Sequence, residues 1–175
     1  MKEAELSMER RLGAPEDSIL IAQSNLACTY AALGRADEAL CLRRDVYSGC
    51  LKLNGEEHRS SILTAYNYVL SLASVQRSEE AKALMRKMIP VARRVIGKCN
   101  ITTLTLRKIY AEALYYDTDA TLDEFREAVT TLEDVAPITR RVMGSAHPRA
   151  VQTEVSLQNA RAALRAREAP PSGGA

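Results

Sequence analysis

The sequence contains no tryptophan and a single phenylalanine, and only 8 of its 175 residues are glycine and 6 proline. So few turn-forming residues argue against an all-β chain, whose many short strands need frequent turns. No stretch approaches the roughly 18 consecutive apolar residues of a membrane-spanning helix. The N-terminus, Met1-Lys2-Glu3-Ala4-Glu5, is charged and lacks the apolar centre of a secretory signal. Four cysteines, Cys28, Cys41, Cys50 and Cys99, form no Cys-x-x-Cys pair and have no zinc spacing with the two histidines. They read as reduced thiols, which places the chain in the cytoplasm. Neither sign of charge dominates, since 24 basic residues face 22 acidic ones for a net charge of +2. That balance gives no reason to expect nucleic acid or an anionic membrane as a partner.

What the sequence has in quantity is Ala, Leu, Arg and Glu, all good helix formers. It also has a period. Gly13, Gly55, Gly97 and Gly144 are separated by 42, 42 and 47 residues. Three positions before each glycine stands a cation: Arg10, Lys52, Arg94 and Arg141. A helix C-terminus explains both features, because cations favour the negative end of the helix dipole and glycine takes the left-handed conformation that ends the helix. Seven positions after each glycine comes an apolar residue: Leu20, Ile62, Leu104 and Val151. Ala39 and Ala81 keep the period, but Ala128 arrives five residues late, which predicts an insertion at the turn from Tyr116 to Thr121.

Each period divides into two helices. The first repeat predicts a helix over 18–33, with its apolar stripe at 19, 22, 26, 30 and 33. A second follows from about 36 to 53, striped by Ala39, Leu42, Val46, Cys50 and Leu53. The second repeat pairs 60–75 with 78–96, and the third pairs 101–116 with 121–143. The last of these opens on Thr121-Leu122-Asp123-Glu124, a capping box. A final helix covers 148–167. The expected organisation is one helical-repeat domain over 1–167: the end of a preceding repeat at 1–12, repeats at 13–54, 55–96 and 97–143, and a terminal helix at 144–167. Residues 168–175 read as a disordered tail. An isolated helical pair cannot cover its own apolar face, so the fold class expected is all-α, an α-α superhelix of antiparallel pairs.

The segment Asn25-Leu26-Ala27-Cys28-Thr29-Tyr30-Ala31-Ala32-Leu33-Gly34-Arg35-Ala36-Asp37-Glu38-Ala39-Leu40 resembles a tetratricopeptide repeat. The 42-residue period and the linkers Gly55-Glu56-Glu57-His58 and Gly144-Ser145-Ala146-His147 are similar to those of kinesin light chain repeats, which are longer than the usual unit of about 34 residues. The third repeat departs from the pattern, with Ile109-Tyr110-Ala111 in place of Asn-Leu-Ala. The resemblance implies a peptide- or protein-binding role without implying a kinesin subunit. It also implies that the first helix of each pair lines a groove. The matching positions are Ile21, Ser24, Asn25 and Cys28; then Leu63, Tyr66, Asn67 and Leu70; then Thr105, Lys108, Ile109, Glu112 and Tyr115. Family members use groove asparagines to bond the backbone of an extended peptide, and Asn25 and Asn67 match them; the alternative is that both bond a neighbouring helix or water. A subset of the superfamily grips a terminal carboxylate with Lys, Asn and Arg. Ile21, Thr105 and Ile109 stand where that clamp needs polar or basic groups, so no such clamp is expected.

Other constellations carry less chemistry. His58 and His147 occupy equivalent linker positions and read as packing or capping residues. Asp117-x-Asp119-x-Thr121-x-Asp123 begins like a calcium loop, but its sixth position is Leu122 and its twelfth is Ala128. Pro90 and Pro137 are expected to kink their helices alike. Paired arginines, among them Arg43-Arg44, form a basic ridge or belong to helix ends. Cys28 has no histidine to activate it. The function expected is therefore a non-catalytic scaffold or adaptor for a protein or peptide, with no cofactor and no metal. The alternatives are a targeting or regulatory segment of a larger protein, and a module that self-associates through its end repeats.

Overall fold

The computed structural model describes residues 2–169, and all regular structure among them is α-helical. The helices are α1 (Lys2–Arg11), α2 (Glu16–Ala32), α3 (Ala36–Asn54), α4 (Arg59–Ser74), α5 (Ser78–Val95), α6 (Ile101–Tyr115), α7 (Leu122–Met143) and α8 (Pro148–Glu168). Each expected helix is present with ends within two residues of the sequence reading. The tail expected at 168–175 lies, from Pro170 onward, outside the described residues. The chain divides within α5 into two compact units, Met1–Leu84 and Met85–Ala175. In the first, α1 packs on α2, α2 on α3, and α3 on α4. In the second, α6 packs on α7, α7 on α8, and α6 also meets α8.

The linker glycines stand at helix ends, and at two of them the conformation differs from the one expected. All four have positive φ, from 64° at Gly13 to 94° at Gly97. At Gly55 and Gly144, however, ψ is 174° and 150°. That is the extended region of positive φ, open essentially to glycine alone, rather than the left-handed helical well. The next helix is then capped three residues later. His58 Nδ1 accepts from the Ser60 N–H at 3.2 Å, Asn100 Oδ1 from the Thr102 N–H at 2.9 Å, and His147 Nδ1 from the Arg149 N–H at 3.1 Å. Both histidines are thus capping residues. The first repeat lacks this device: Pro15 precedes α2 and no side chain caps it.

The core of the first unit contains the fully buried Ile62, Val69 and Leu72; that of the second contains Leu106, Leu114 and Leu132. Burying each such side chain is worth about 1.5–3 kcal/mol. The buried face of α2 is Leu20, Gln23, Leu26 and Ala27, not the stripe read from Ile19 and Ala22, and Leu33 ends the helix 66% exposed. Ile19-Leu20-Ile21-Ala22 is apolar on every side, so periodicity alone does not fix the phase; packing against both α1 and α3 does. Of the apolar residues seven positions after each glycine, Leu20, Ile62 and Leu104 are buried, whereas Val151 is 49% exposed.

The five extra residues of the third repeat are shared between turn and helix. The turn over 116–121 is six residues long against three at 33–35 and 75–77, and α7 has 22 residues against 19 and 18 in α3 and α5. The capping box at Thr121 and Glu124 forms as expected. Helices α5 and α7 continue past Pro90 and Pro137.

Candidate binding clefts on the first helices

In the first unit, α2, α3 and α4 enclose a cleft of about 450 Å³. Ile21 and Ser24 enter it from α2, and Leu63 and Asn67 from α4. Its floor is the buried cluster of Leu20, Val46 and Cys50. Burial pushes the Cys50 thiol up from its ordinary value. The mouth is apolar: Ile21 is 62% exposed, Leu53 46% and Leu63 37%. Such exposed aliphatic surface at a concave place is the usual material of a binding site.

The helices that form this cleft are tied by Arg43. Its Nη1 donates to the Asn67 carbonyl at 3.2 Å and to Ser71 Oγ at 2.9 Å. A residue expected on a basic ridge is therefore turned inward, where it fixes α4 against α3. Asn25 and Cys28 lie on the exposed side of α2, while Tyr66 and Leu70 are half-buried on α4; none of the four lines the cleft. One close approach shapes the floor. A Cβ placed on Gly49 would stand 2.5 Å from Leu20 Cδ2, so a side chain there would displace the end of the Leu20 side chain.

In the second unit a smaller cleft of about 190 Å³ lies among α6, α7 and α8. Thr105, Lys108 and Ile109 enter it from α6, Met143 from α7, and Arg149 and Gln152 from α8. The Lys108 ammonium is not a free surface charge: it donates to Glu112 Oε1 at 2.7 Å, and the same oxygen accepts from Ser156 Oγ at 2.7 Å. Tyr115 is buried, and that burial holds its phenol well above the ordinary range. Its ring lies 4.4 Å, centroid to centroid, from that of Tyr116, which is 67% exposed.

Of the groove positions implied by the sequence, the structure thus brings together Ile21, Ser24, Leu63 and Asn67 in one cleft, and Thr105, Lys108 and Ile109 in another. The sequence reading missed the walls contributed by second helices and by α8. Val46, Cys50 and Leu53 had been visible only as a core stripe, and nothing local marked the end of that stripe as open. Among the described residues no group of His, Cys, Asp and Glu is arranged to hold a metal ion, and no helix is long and apolar enough to cross a membrane.

Residues 19–60 match the model of the tetratricopeptide repeat family. No curated protein sequence matches the chain. Among solved structures, the chain is similar to a Podosopora anserina protein described as a kinesin light chain with nearly identical TPR-like repeats. The TM-score is 0.77 at 23% identity, covering 95% of this chain and 77% of that one. A single-substitution variant of the same protein gives a TM-score of 0.78 at 23% identity, with the same 95% and 77% coverage. BtubC (BKLC) from P. vanneervenii matches with a TM-score of 0.65 at 16% identity, covering 93% of this chain and 70% of that one. The chain therefore carries a tetratricopeptide repeat at residues 19–60 and has the fold of kinesin light chain-like TPR repeats.

Proposed function

We propose that the chain is a non-catalytic protein-interaction module, a scaffold or adaptor that holds a peptide segment or partner protein on the faces of its first helices. In the first unit these are α2 and α4, through Ile21, Ser24, Asn25, Cys28, Leu63, Tyr66, Asn67 and Leu70. In the second unit it is α6, through Thr105, Lys108, Ile109, Glu112 and Tyr115. The observation that carries this reading is the cleft of about 450 Å³ in the first unit, with exposed Ile21 and Leu63 at its mouth and the Asn67 amide beside them. Apolar side chains at a concave place supply affinity, and an amide offers both a donor and an acceptor to a peptide backbone. The tetratricopeptide match at 19–60 supports the same reading, since it covers α2 and α3.

The test is affinity capture and peptide-array binding with the wild type and with Tyr66→Ala plus Asn67→Ala, both checked for unchanged helicity. Partners or peptides bound by the wild type are expected to be lost or weakened at least about tenfold in the double variant, as for anchor residues at interfaces. An unchanged set of bound partners would sink the proposal.

A further inference from the structure

The cleft of the first unit has a size, a wall chemistry and a charge, and together these describe what enters it. Its floor and mouth are aliphatic: Leu20 and Val46 below, Ile21, Leu53 and Leu63 above. A volume of about 450 Å³ admits one large side chain with part of its backbone. Ser24, Thr64 and Asn67 add neutral polar groups, and Asp17 is the sole charged residue among the twelve that line the cleft. Asp17 is exposed in the first turn of α2 and makes no ion pair with a described residue. An acidic segment would meet that carboxylate unfavourably, while a basic one would find a partner.

Gly49 lies behind the cleft floor, against Leu20. It lies within the 19-residue helix α3, where glycine costs helix stability. The close approach of Leu20 gives the reason, since a Cβ there would overlap Leu20 Cδ2 at 2.5 Å. Leu20 is otherwise packed against Val46 and Cys50, so the open side to which it can move is the cleft itself.

Resting on the interaction reading above, we infer that this cleft is an anchor pocket for a large apolar side chain flanked by a basic residue, and that Gly49 sets its depth. Gly49 is then a specificity-determining residue: any side chain there drives Leu20 into the pocket and favours smaller anchors.

The test uses the full chain and synthetic heptapeptides Gly-Ser-X-Gly-Z-Ser-Gly, with X as Phe, Leu or Ala and Z as Arg or Glu, titrated by amide NMR shifts. Peptides with Phe or Leu and Arg are expected to shift the amides of Ile21, Leu53, Leu63 and Asn67. They should bind at least about fivefold tighter than the Ala-anchored peptide and about threefold tighter than the Glu-flanked one. Gly49→Ala should abolish the preference for Phe over Ala; alanine favours helix, so the variant is expected to fold. Asp17→Asn, an exposed change that leaves the core intact, should abolish the preference for Arg over Glu. Equal binding of the Ala-anchored peptide, tighter binding of the Glu-flanked one, or no shift at these amides overturns the inference. If those results came while Tyr66→Ala plus Asn67→Ala still released captured partners, the anchor pocket alone would fail and the wider reading would stand.

Discussion

At the scale of single residues, the repeat is punctuated by two devices that act in sequence. Gly55 and Gly144 adopt positive φ with extended ψ, and His58, Asn100 and His147 then cap the next helix through an acceptor atom. Asn100→Ala is expected to cost about 1 kcal/mol, and His58→Asn, which keeps an acceptor, close to nothing; urea denaturation measures both. Gly144→Ala should cost more, about 1–3 kcal/mol, because its backbone conformation is denied to alanine. The period made these glycines legible, but not their ψ, which depends on the path of the whole linker. Titration gives a second prediction at this scale. Burial pushes up the thiol of Cys50 and the phenols of Tyr110 and Tyr115. The unfolded chain therefore releases these protons at lower pH than the folded one. The stability they carry is whole below the unfolded thiol's pKa of about 8.5 and is lost as pH rises through the thiol and phenol ranges. The urea midpoint should fall steadily above about pH 8.5, and a flat profile would contradict the burial of these groups.

At the scale of elements, helix pairing in the second unit depends on polar ties that no periodicity announced. The Tyr110 hydroxyl accepts from Arg86 Nε at 2.9 Å and donates to Glu127 Oε1 at 2.9 Å, linking α6 to α5 and α7. Tyr110→Phe should cost about 1 kcal/mol. Arg107 is almost wholly buried and donates to Asp134 Oδ2 at 2.7 Å. Asp134→Ala should cost about 1–3 kcal/mol because it strands a buried guanidinium, whereas Arg107→Met, which removes the charge and keeps the stem's packing, should cost less. The reverse order in thermal or urea unfolding would show that the pair is not what holds α6 to α7. Helix boundaries were legible in the sequence because glycines, caps and breakers are local. The phase of α2 was not, since an all-round apolar segment leaves the choice of buried face to its neighbours. The five-residue insertion was legible as a count, and the capping box at Thr121 made the early start of α7 legible too, because a cap is a local signal.

At the scale of the molecule, the chain comprises two compact units, each with its own core and its own cleft bordered by first helices. The candidate site was half legible. Ile21, Ser24, Leu63 and Asn67 follow from the resemblance to the repeat family, but the walls from α3 and the close approach of Gly49 to Leu20 come only with the three-dimensional structure. Two native thiols make the central claim directly testable. Cys28 is exposed on α2, on the face assigned to the partner, and Cys41 is exposed on α3. Their alkylation rates, followed by peptide mass spectrometry with and without a captured partner, report which face is covered. Binding on the first helices predicts that the partner slows Cys28 at least about tenfold and leaves Cys41 unchanged, as expected for a site taken out of solvent. Protection of Cys41 with Cys28 still reactive would contradict the account.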